Sequence, residues 1–226
     1  MAHQSASDSG YRTRPLLDFV TDRIAREDSI LRAIREETPS RGLPPISIGP
    51  DEGRMLHFLA SACGAKKIVE VGTLAGYSAC WLARALPKGG MLHTIEYDPK
   101  HAAVAKDNIA RAGLASMATV HTGAGAAVLP TLETYGPFDL VFIDADKTGY
   151  ADYARWAAKN VRSGGFVICD NAYLFGNLHR DLPPDHEDAP KVAPMRAALE
   201  LLCDETLFLS CTMIPTGEGM AVAVRR

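Results

Sequence analysis

The chain has 226 residues, a formal net charge of -3 and 47% hydrophobic residues. This length can bury a substantial core without disulfide support and predicts one domain, assigned to residues 15–226. The near-neutral charge, without a long basic run, argues against nucleic acid as a main partner.

The cysteines and the apolar runs indicate where the protein resides. Five cysteines lie in apolar segments without CxxC spacing, which favours buried, reduced thiols. No apolar run reaches membrane-spanning length, and the N-terminus lacks the apolar core of a signal peptide. We therefore expect a cytoplasmic protein without a membrane partner.

The first third of the chain has helical patterns broken by a loop. Met1–Arg14 is polar and is predicted to be a flexible tail. Leu16–Glu37 has the apolar spacing of one or two amphipathic helices. Four prolines make Thr38–Pro50 a loop, and helical spacing returns in Asp51–Cys63. Residues 15–63 are thus predicted to be N-terminal helices with a loop that contacts ligands.

From Lys66 onward strands and helices alternate, which predicts a mostly parallel sheet covered by helices on both faces. The predicted strands are Lys67–Val71, Met91–Glu96, Ala118–His121, Phe138–Asp144 and Phe166–Cys169. The predicted helices are Ser78–Leu86, Lys100–Ala112, Ala126–Tyr135, Tyr150–Val161 and Val192–Cys203. Two final apolar runs, Leu207–Ile214 and Met220–Val224, are separated by too few residues for a crossover helix, so an antiparallel hairpin is expected.

The stretch Lys66–Ser78 predicts a buried strand, a glycine turn and the start of a helix. Gly72 and Gly76 allow a turn and a close approach to a ligand. Glu70 lies near the carboxyl end of this strand, where open α/β sheets bind ligands. The turn does not match GxGxxG, which weakens a dinucleotide interpretation.

Glu96 ends the second strand, roughly 20 residues beyond the glycine turn. A carboxylate at this place accepts hydrogen bonds from the two hydroxyls of a ribose. The alternative is a solvated carboxylate at a strand end. Asp98 is the nearby competitor, but its position before Pro99 suits a helix N-cap.

Asp144, Asp170 and Asn171 follow two successive predicted strands, in FDLVFIDADK and GGFVICDN. Because the carboxyl ends of neighbouring parallel strands meet at one edge of a sheet, these side chains are expected to converge. Two carboxylates and an amide oxygen suit Mg²⁺, Mn²⁺ or Ca²⁺, and a cation relieves the repulsion between the carboxylates. The alternative is that the aspartates cap helices and Asn171 turns the chain.

Six stretches together resemble the S-adenosylmethionine-dependent, cation-dependent O-methyltransferases, the family of catechol and caffeoyl-CoA O-methyltransferases. They are PISIGPDEGRML (45–56), VEVGTLAGYS (69–78), TIEYDP (94–99), FDLVFIDADK (138–147), GGFVICDN (164–171) and GEGMAVAVRR (217–226). The resemblance implies a Rossmann-like fold of the α/β class over residues 66–226, with a seven-stranded sheet whose last strand is antiparallel. It also implies a homodimer.

The resemblance implies a role for individual residues. The metal ligands would be Asp144, Asp170 and Asn171, and Asp144 would also lie at the cofactor and in the catalytic centre. The cofactor S-adenosylmethionine would be bound by Ile48, Glu70, Gly72, Thr73, Ser78, Glu96 and Gly125. Phe175 stands where relatives that act on CoA esters have a polar residue, so a CoA ester is not the expected acceptor.

The expected reaction is methyl transfer to one hydroxyl of a small aromatic vicinal diol. Lys147, just after the predicted metal-binding strand, is the expected catalytic base or stabiliser of the phenolate, and the alternative is a surface lysine. Tyr173, Leu174 and Phe175 either sandwich the aromatic ring or pack a loop. A natural-product or hydroxamate acceptor, an NAD-dependent oxidoreductase and a non-catalytic binding protein are the rival interpretations.

Overall fold

The computed structural model describes residues 13–226. Residues 1–12 of the predicted flexible tail Met1–Arg14 lie outside the described residues. The prediction is wrong for Arg14, which begins α1 (Arg14–Ile24). Pro15 in the first turn has a backbone angle suited to a helix start, and an ion pair of 2.8 Å joins Arg14 to Asp18 one turn later.

The predicted helical region Leu16–Glu37 forms two helices, because Asp28 starts a second one. The Asp28 carboxylate accepts a hydrogen bond of 2.8 Å from the Leu31 N–H and so caps α2 (Ser29–Glu37). The proline-rich loop follows, and α3 (Pro50–Ala62) leads to the sheet. Within residues 13–226 no helix combines the length and the apolar character needed to cross a bilayer.

The rest of the chain alternates as the sequence predicts. The strands are β1 (Lys67–Val71), β2 (Met91–Glu96), β3 (Ala118–Thr122), β4 (Phe138–Ile143), β5 (Val161–Cys169), β6 (Phe208–Ile214) and β7 (Met220–Arg225). The helices are α4 (Tyr77–Ala85), α5 (Pro99–Arg111), α6 (Gly125–Leu132), α7 (Tyr150–Asn160) and α8 (Ala189–Leu202). The largest differences from the prediction are at three boundaries: α6 ends at Leu132 before a short 3₁₀ turn, β5 begins at Val161 rather than Phe166, and α8 begins at Ala189 rather than Val192.

The seven strands form one sheet in the order β3-β2-β1-β4-β5-β7-β6. The pairs among β1 to β5 are parallel, whereas β7 runs antiparallel to both β5 and β6. The predicted terminal hairpin and the predicted fold class are therefore confirmed.

The core has two layers, one on each face of the sheet. Side chains of α2, α3, α4 and α5 pack on the face that carries Ile68 and Phe142, and those of α6, α7 and α8 pack on the face that carries Val69 and Phe138. Both phenylalanines are fully buried, and each contributes about 2 kcal/mol by leaving water. β1 is covered on both faces, which explains why its residues form an apolar run.

Gly72 allows the end of β1 to approach the end of β4 more closely than any other residue would. Its φ is +99°, and a Cβ built there would lie 1.8 Å from the Asp144 carbonyl oxygen. The Asp144 N–H also donates to the Val71 carbonyl oxygen at 2.8 Å. The position of Asp144 thus depends on the missing side chain at Gly72.

We expect Gly72→Ala to destabilise the protein by about 3 kcal/mol or more, because the methyl group would force two strand ends apart. Gly89→Ala is the matched control, since Gly89 has φ +84° but nothing within 4 Å of its added Cβ. The control should lose only about 1 kcal/mol from backbone strain. Urea unfolding measures both, and equal losses would show that the close approach is unimportant.

A histidine pair joins β2 to β3 beside the 3₁₀ turn that follows α6. The His93 Nδ1 is 3.0 Å from the His121 Nε2, and the His93 ring lies 4.7 Å from the ring of Tyr135. Burial, followed by His121 and Lys67, lowers the pKa of His93 to about 4. His93 is therefore neutral in the folded chain at pH values where it is protonated in the unfolded chain.

This pKa difference predicts acid sensitivity. Between the unfolded pKa of about 6.5 and the folded value, the unfolded state binds more protons, so stability falls as the pH falls. From pH 7 to pH 4.5 the wild-type protein should lose about 1 kcal/mol more than His93→Gln, after allowance for solvent that reaches the pair. Urea unfolding across this range is the measurement, and parallel pH profiles would contradict the prediction.

Candidate functional site

A cavity of about 790 Å³ opens at the carboxyl ends of β1, β2 and β4 and is closed on one side by the loop before α3. Most residues that the sequence predicts for the site line it: Ile48, Gly72, Thr73, Ser78, Glu96, Gly125, Asp144, Lys147 and Asn171. Glu70 and Asp170 do not line this cavity and are buried beside it. The strand ends therefore bring the predicted residues into one region.

Glu96 lies across the glycine turn. One of its oxygens accepts hydrogen bonds from the backbone N–H of Thr73 at 3.1 Å and of Leu74 at 2.8 Å. The other accepts from the Asp98 N–H at 2.9 Å. Asp98 itself caps α5, because its carboxylate accepts from the Lys100 N–H at 2.7 Å. Glu96 and Asp98 thus have different roles, one at the glycine turn and the other as a helix cap, as the sequence suggests.

Glu70 is joined to the cavity by a chain of hydroxyls. Parallel pairing sets it opposite Thr94, whose hydroxyl donates to the Glu70 Oε2 at 2.6 Å. When Glu70 is ionised that proton is used, so the Thr73 hydroxyl then donates to the Thr94 oxygen, 2.5 Å away. Full burial raises the pKa of Glu70 to about 8, although the nearby hydroxyls of Ser78 and Thr94 oppose the shift.

Two consequences follow for this side of the cavity. The Glu70 Oε1 is buried and has no hydrogen-bond partner. With Glu70 ionised, Thr73 lines the cavity with a hydroxyl whose proton is already donated, so its oxygen lone pairs are acceptors there. A cationic group would find acceptors from Thr73 here, whereas a direct contact between Glu70 and a ligand stays a prediction.

The opposite wall is formed by the start of α6. A Cβ at Gly125 would lie 2.9 Å from the ring of Tyr153 and 3.0 Å from the side chain of Val71, so only glycine fits this packing. The Tyr153 hydroxyl donates to Asp146 at 2.6 Å, which fixes the ring beside the cavity. Gly125 therefore leaves a shallow wall suited to a flat group.

The two predicted metal-binding aspartates follow paired strand residues. Ile143 of β4 pairs with Cys169 of β5, so Asp144 and Asp170 are the next residues on adjacent strands. Burial, followed by the charge of Asp144, raises the pKa of Asp170 well above its usual range. The Asp170 Oδ1 is buried without a hydrogen-bond partner, which is costly for a carboxylate unless a proton or a cation is present.

Asn171 continues from Asp170 with φ +49°, a left-handed conformation that asparagine tolerates, and it lines the cavity. The donor set at these strand ends is therefore made of oxygen atoms. Within residues 13–226 no group of three or more histidine, cysteine, aspartate or glutamate residues is arranged to hold a metal. The predicted set has only two carboxylates, with an amide as its third member.

Lys147 faces this acid pair. Its Nζ donates to the Asp144 Oδ1 at 3.1 Å and to the Tyr150 hydroxyl at 2.6 Å. The side chain is only 9% exposed, so the alternative of a surface lysine is wrong. Lys147 is thus held at the cavity by two defined partners.

The segment after Asn171 divides its aromatic and apolar residues. Leu174 is fully buried in the core, and the Tyr173 ring packs where a Cβ at Gly219 would lie within 2.8 Å of it. Phe175 has φ +52° and lines the cavity. Packing of the loop therefore explains Tyr173 and Leu174, and Phe175 is the one of these three residues that lines the cavity.

Sequence reasoning missed three residues that hold the site together: Thr94, Tyr150 and Tyr153. Thr94 stands two residues before Glu96, a predicted ligand position, and parallel register alone puts it opposite Glu70. Tyr150 stands three residues after Lys147, a spacing that brings side chains together in a helical turn. Only the register of the sheet could have identified Thr94. The spacing that identifies Tyr150 was present in the sequence.

Comparison with known proteins identifies the family. A family model described as O-methyltransferase matches residues 21–226. The chain is 42% identical over 210 residues to a catechol O-methyltransferase of Niastella koreensis, covering 91% of this chain and 94% of that protein. It is 39% identical over 213 residues to a catechol O-methyltransferase of Mycobacterium tuberculosis, covering 92% and 94%.

A solved structure of an O-methyltransferase is also similar to this chain. The crystal structure of an O-methyltransferase from Bacillus cereus in complex with SAH superposes with a TM-score of 0.85 at 36% identity, covering 92% of this chain and 96% of that one. The range matched by the family model, residues 21–226, includes the whole sheet and every residue that lines the cavity. The chain belongs to the O-methyltransferase family.

Proposed function

We propose that the protein transfers the methyl group of S-adenosylmethionine to one hydroxyl of a small aromatic vicinal diol, assisted by a divalent cation. The observation that carries this proposal is the pair Asp144 and Asp170 on adjacent strand ends, with Lys147 hydrogen-bonded to Asp144. Two relatives are named catechol O-methyltransferase, and the Bacillus cereus structure contains SAH, the demethylated product of this methyl donor.

The cavity has suitable groups for each part of S-adenosylmethionine. Thr73 and Ser78 offer hydroxyl oxygens near buried Glu70, which suits the cationic methionine end, and Gly72 lines the cavity beside them. Glu96 is a carboxylate at the place where a ribose is held in such sheets. Gly125 and Ile48 would contact the adenine and the loop side of the cofactor.

Asp144, Asp170 and Asn171 would hold the cation. Their oxygens are the ligands that Mg²⁺, Mn²⁺ and Ca²⁺ prefer, and Mg²⁺ is the first choice. The buried, unpartnered Asp170 oxygen fits this assignment, since a cation would satisfy it and replace the proton that its raised pKa favours. When bound, a divalent cation favours ionisation of a nearby phenol, whose ordinary pKa is about 10.

Lys147 would accept the acceptor's proton. Its amine is held at Asp144, beside the predicted cation ligands and within the cavity. In the proposed methyl transfer the phenol O–H bond breaks and its proton passes to Lys147. The phenol oxygen then forms a bond to the methyl carbon as the sulfur–methyl bond breaks, which leaves S-adenosylhomocysteine and the methyl ether. Phe175 lines the same cavity and offers a ring against which a flat acceptor can pack.

Methyl transfer from labelled S-adenosylmethionine to a panel of acceptors tests the proposal. The panel contains catechol, singly hydroxylated phenols, hydroxamates and flavonoids, each assayed with Mg²⁺ and with EDTA. We expect transfer to catechol that EDTA abolishes and excess Mg²⁺ restores, and little transfer to a single phenol, which cannot offer two oxygens. Transfer that EDTA leaves unchanged would overturn the role of the cation.

Two variants extend this assay. Lys147→Met should lower kcat on catechol by about 100-fold or more, the usual contribution of a general base, with affinity for S-adenosylhomocysteine unchanged. Lys88→Met is the control, because Lys88 is exposed in the turn before β2, at the opposite edge of the sheet. Full activity of Lys147→Met would remove the proposed base.

We also propose that the protein is a homodimer joined through α1. None of the residues of α1 is buried, although Leu16, Leu17, Phe19, Val20 and Ile24 are apolar. A second copy would cover this face. Light scattering should give a dimer mass for the wild type and for Leu209→Asp, which changes an exposed leucine on β6, and a monomer mass for Ile24→Asp. A wild-type monomer would contradict the proposal.

A cytoplasmic location is the remaining proposal. All five cysteines lie within residues 13–226 and are free thiols, as expected in a reducing compartment. Detection of a disulfide in protein isolated under thiol-blocking conditions would argue against it.

A further inference from the structure

We propose that Tyr150 is a positioning residue, whose hydroxyl holds the Lys147 amine so that a single bonding position faces the substrate. This inference rests on the proposed role of Lys147 as the base. Tyr150 has no part in the family resemblance described above and does not line the cavity. Its contribution would therefore be made entirely through Lys147.

Tyr150 connects the ends of the two strands that carry the aspartates. It begins α7 and is fully buried, and its hydroxyl lies 3.2 Å from the Ile143 carbonyl oxygen and 3.1 Å from the Asp170 carbonyl oxygen. Ile143 immediately precedes Asp144. The hydroxyl is thus fixed relative to both aspartates by the backbone and needs no flexible side chain.

The donors and acceptors around this hydroxyl fix its direction. A tyrosine hydroxyl has one proton, and a carbonyl oxygen can only accept. The proton of Tyr150 is therefore directed at one of the two carbonyl oxygens, and a lone pair of the phenol oxygen faces the Lys147 Nζ at 2.6 Å. Tyr150 accepts from Lys147 and does not compete for the lysine lone pair.

Counting bonds and hydrogen bonds in the same way at the Lys147 Nζ leaves one bonding position free. The tetrahedral Nζ is bonded to its own Cε, donates to Tyr150 and donates to the Asp144 Oδ1. The fourth position is left for the proton of the acceptor. The two hydrogen bonds do not occupy it, because each uses a different N–H group.

We assign the free position to the cavity side of the amine. Lys147 lines the cavity with a side chain that is 9% exposed, and its Nζ also lies 4.6 Å from the centre of the Tyr150 ring. The amine is therefore confined on the protein side by one residue that supplies both a ring and an oxygen. Such alignment of a base before the reaction lowers the cost of orientation in the transition state.

A double-mutant cycle tests this inference with Tyr150→Phe, Lys147→Met and the double variant. Tyr150→Phe keeps the ring in the core and removes only the hydroxyl. We expect it to lower kcat on catechol about tenfold, with KM for both substrates within about twofold. In the Lys147→Met background the same change should have no effect on kcat.

Thr38→Val is the control for loss of a buried hydroxyl, because the Thr38 hydroxyl donates to the Ile34 carbonyl oxygen at 2.6 Å and is remote from the cavity. It should lower the thermal midpoint without a change in kcat. Calorimetric affinity for S-adenosylhomocysteine should stay within about twofold in all variants. 3-Fluorotyrosine at position 150 is a second probe, since it keeps the hydroxyl but weakens its oxygen as an acceptor; kcat should fall several-fold.

The outcomes separate the two proposals. If Lys147→Met retains full activity, the base assignment fails and the inference fails with it. If Lys147→Met is impaired but Tyr150→Phe has wild-type kcat, only the positioning role is overturned. A tenfold loss from Tyr150→Phe that persists in the Lys147→Met background would also overturn it, because Tyr150 would then act independently of Lys147.

Discussion

The parallel register at the carboxyl edge of the sheet is the constraint on which the site depends. Val71 of β1 pairs with residues of both neighbouring strands, and Ile143 of β4 pairs with Cys169 of β5. The next residue on each strand therefore falls in a single row: Gly72, Glu96, Asp144 and Asp170. A slip of one residue in any strand would turn one of these side chains to the other face. Because Gly72 has no side chain, the ends of β1 and β4 can lie close together within this row.

Burial separates the acids near this edge of the sheet into two kinds. Glu96 is satisfied by three backbone N–H groups and keeps its place at the cavity. Glu70 and Asp170 are excluded from water, and each keeps one oxygen without a partner. Such groups cost stability, and the hydroxyl chain through Thr94 reduces that cost for Glu70. Two unsatisfied carboxylates near one cavity indicate a site built for cationic ligands rather than for its own stability.

The chemical end of the cavity combines charge with fixed geometry. Asp144 belongs to the acid pair and also accepts from Lys147, so the proposed cation site and the proposed base share one side chain. Tyr150 ties this arrangement to the backbone of β4 and β5. The order of the elements explains why Asp144 can serve both sites. A short 3₁₀ turn (Lys147–Gly149) joins β4 to α7 and keeps Lys147 and Tyr150 close to Asp144 along the chain.

The sequence by itself determined the alternation of strands and helices, the terminal hairpin, the cap at Asp98 and the residues that follow each strand, because these depend on local periodicity and on turn chemistry. Only the tertiary structure decided which side chains reach the cavity. Glu70 points into the core, and Thr94 is its partner because of a register between distant segments. Leu174 is buried whereas Phe175, the next residue, faces the cavity, because both adopt left-handed backbone conformations that no local pattern signals. Sequence patterns report neighbours along the chain, and contacts across the sheet exist only after folding brings the strand ends together.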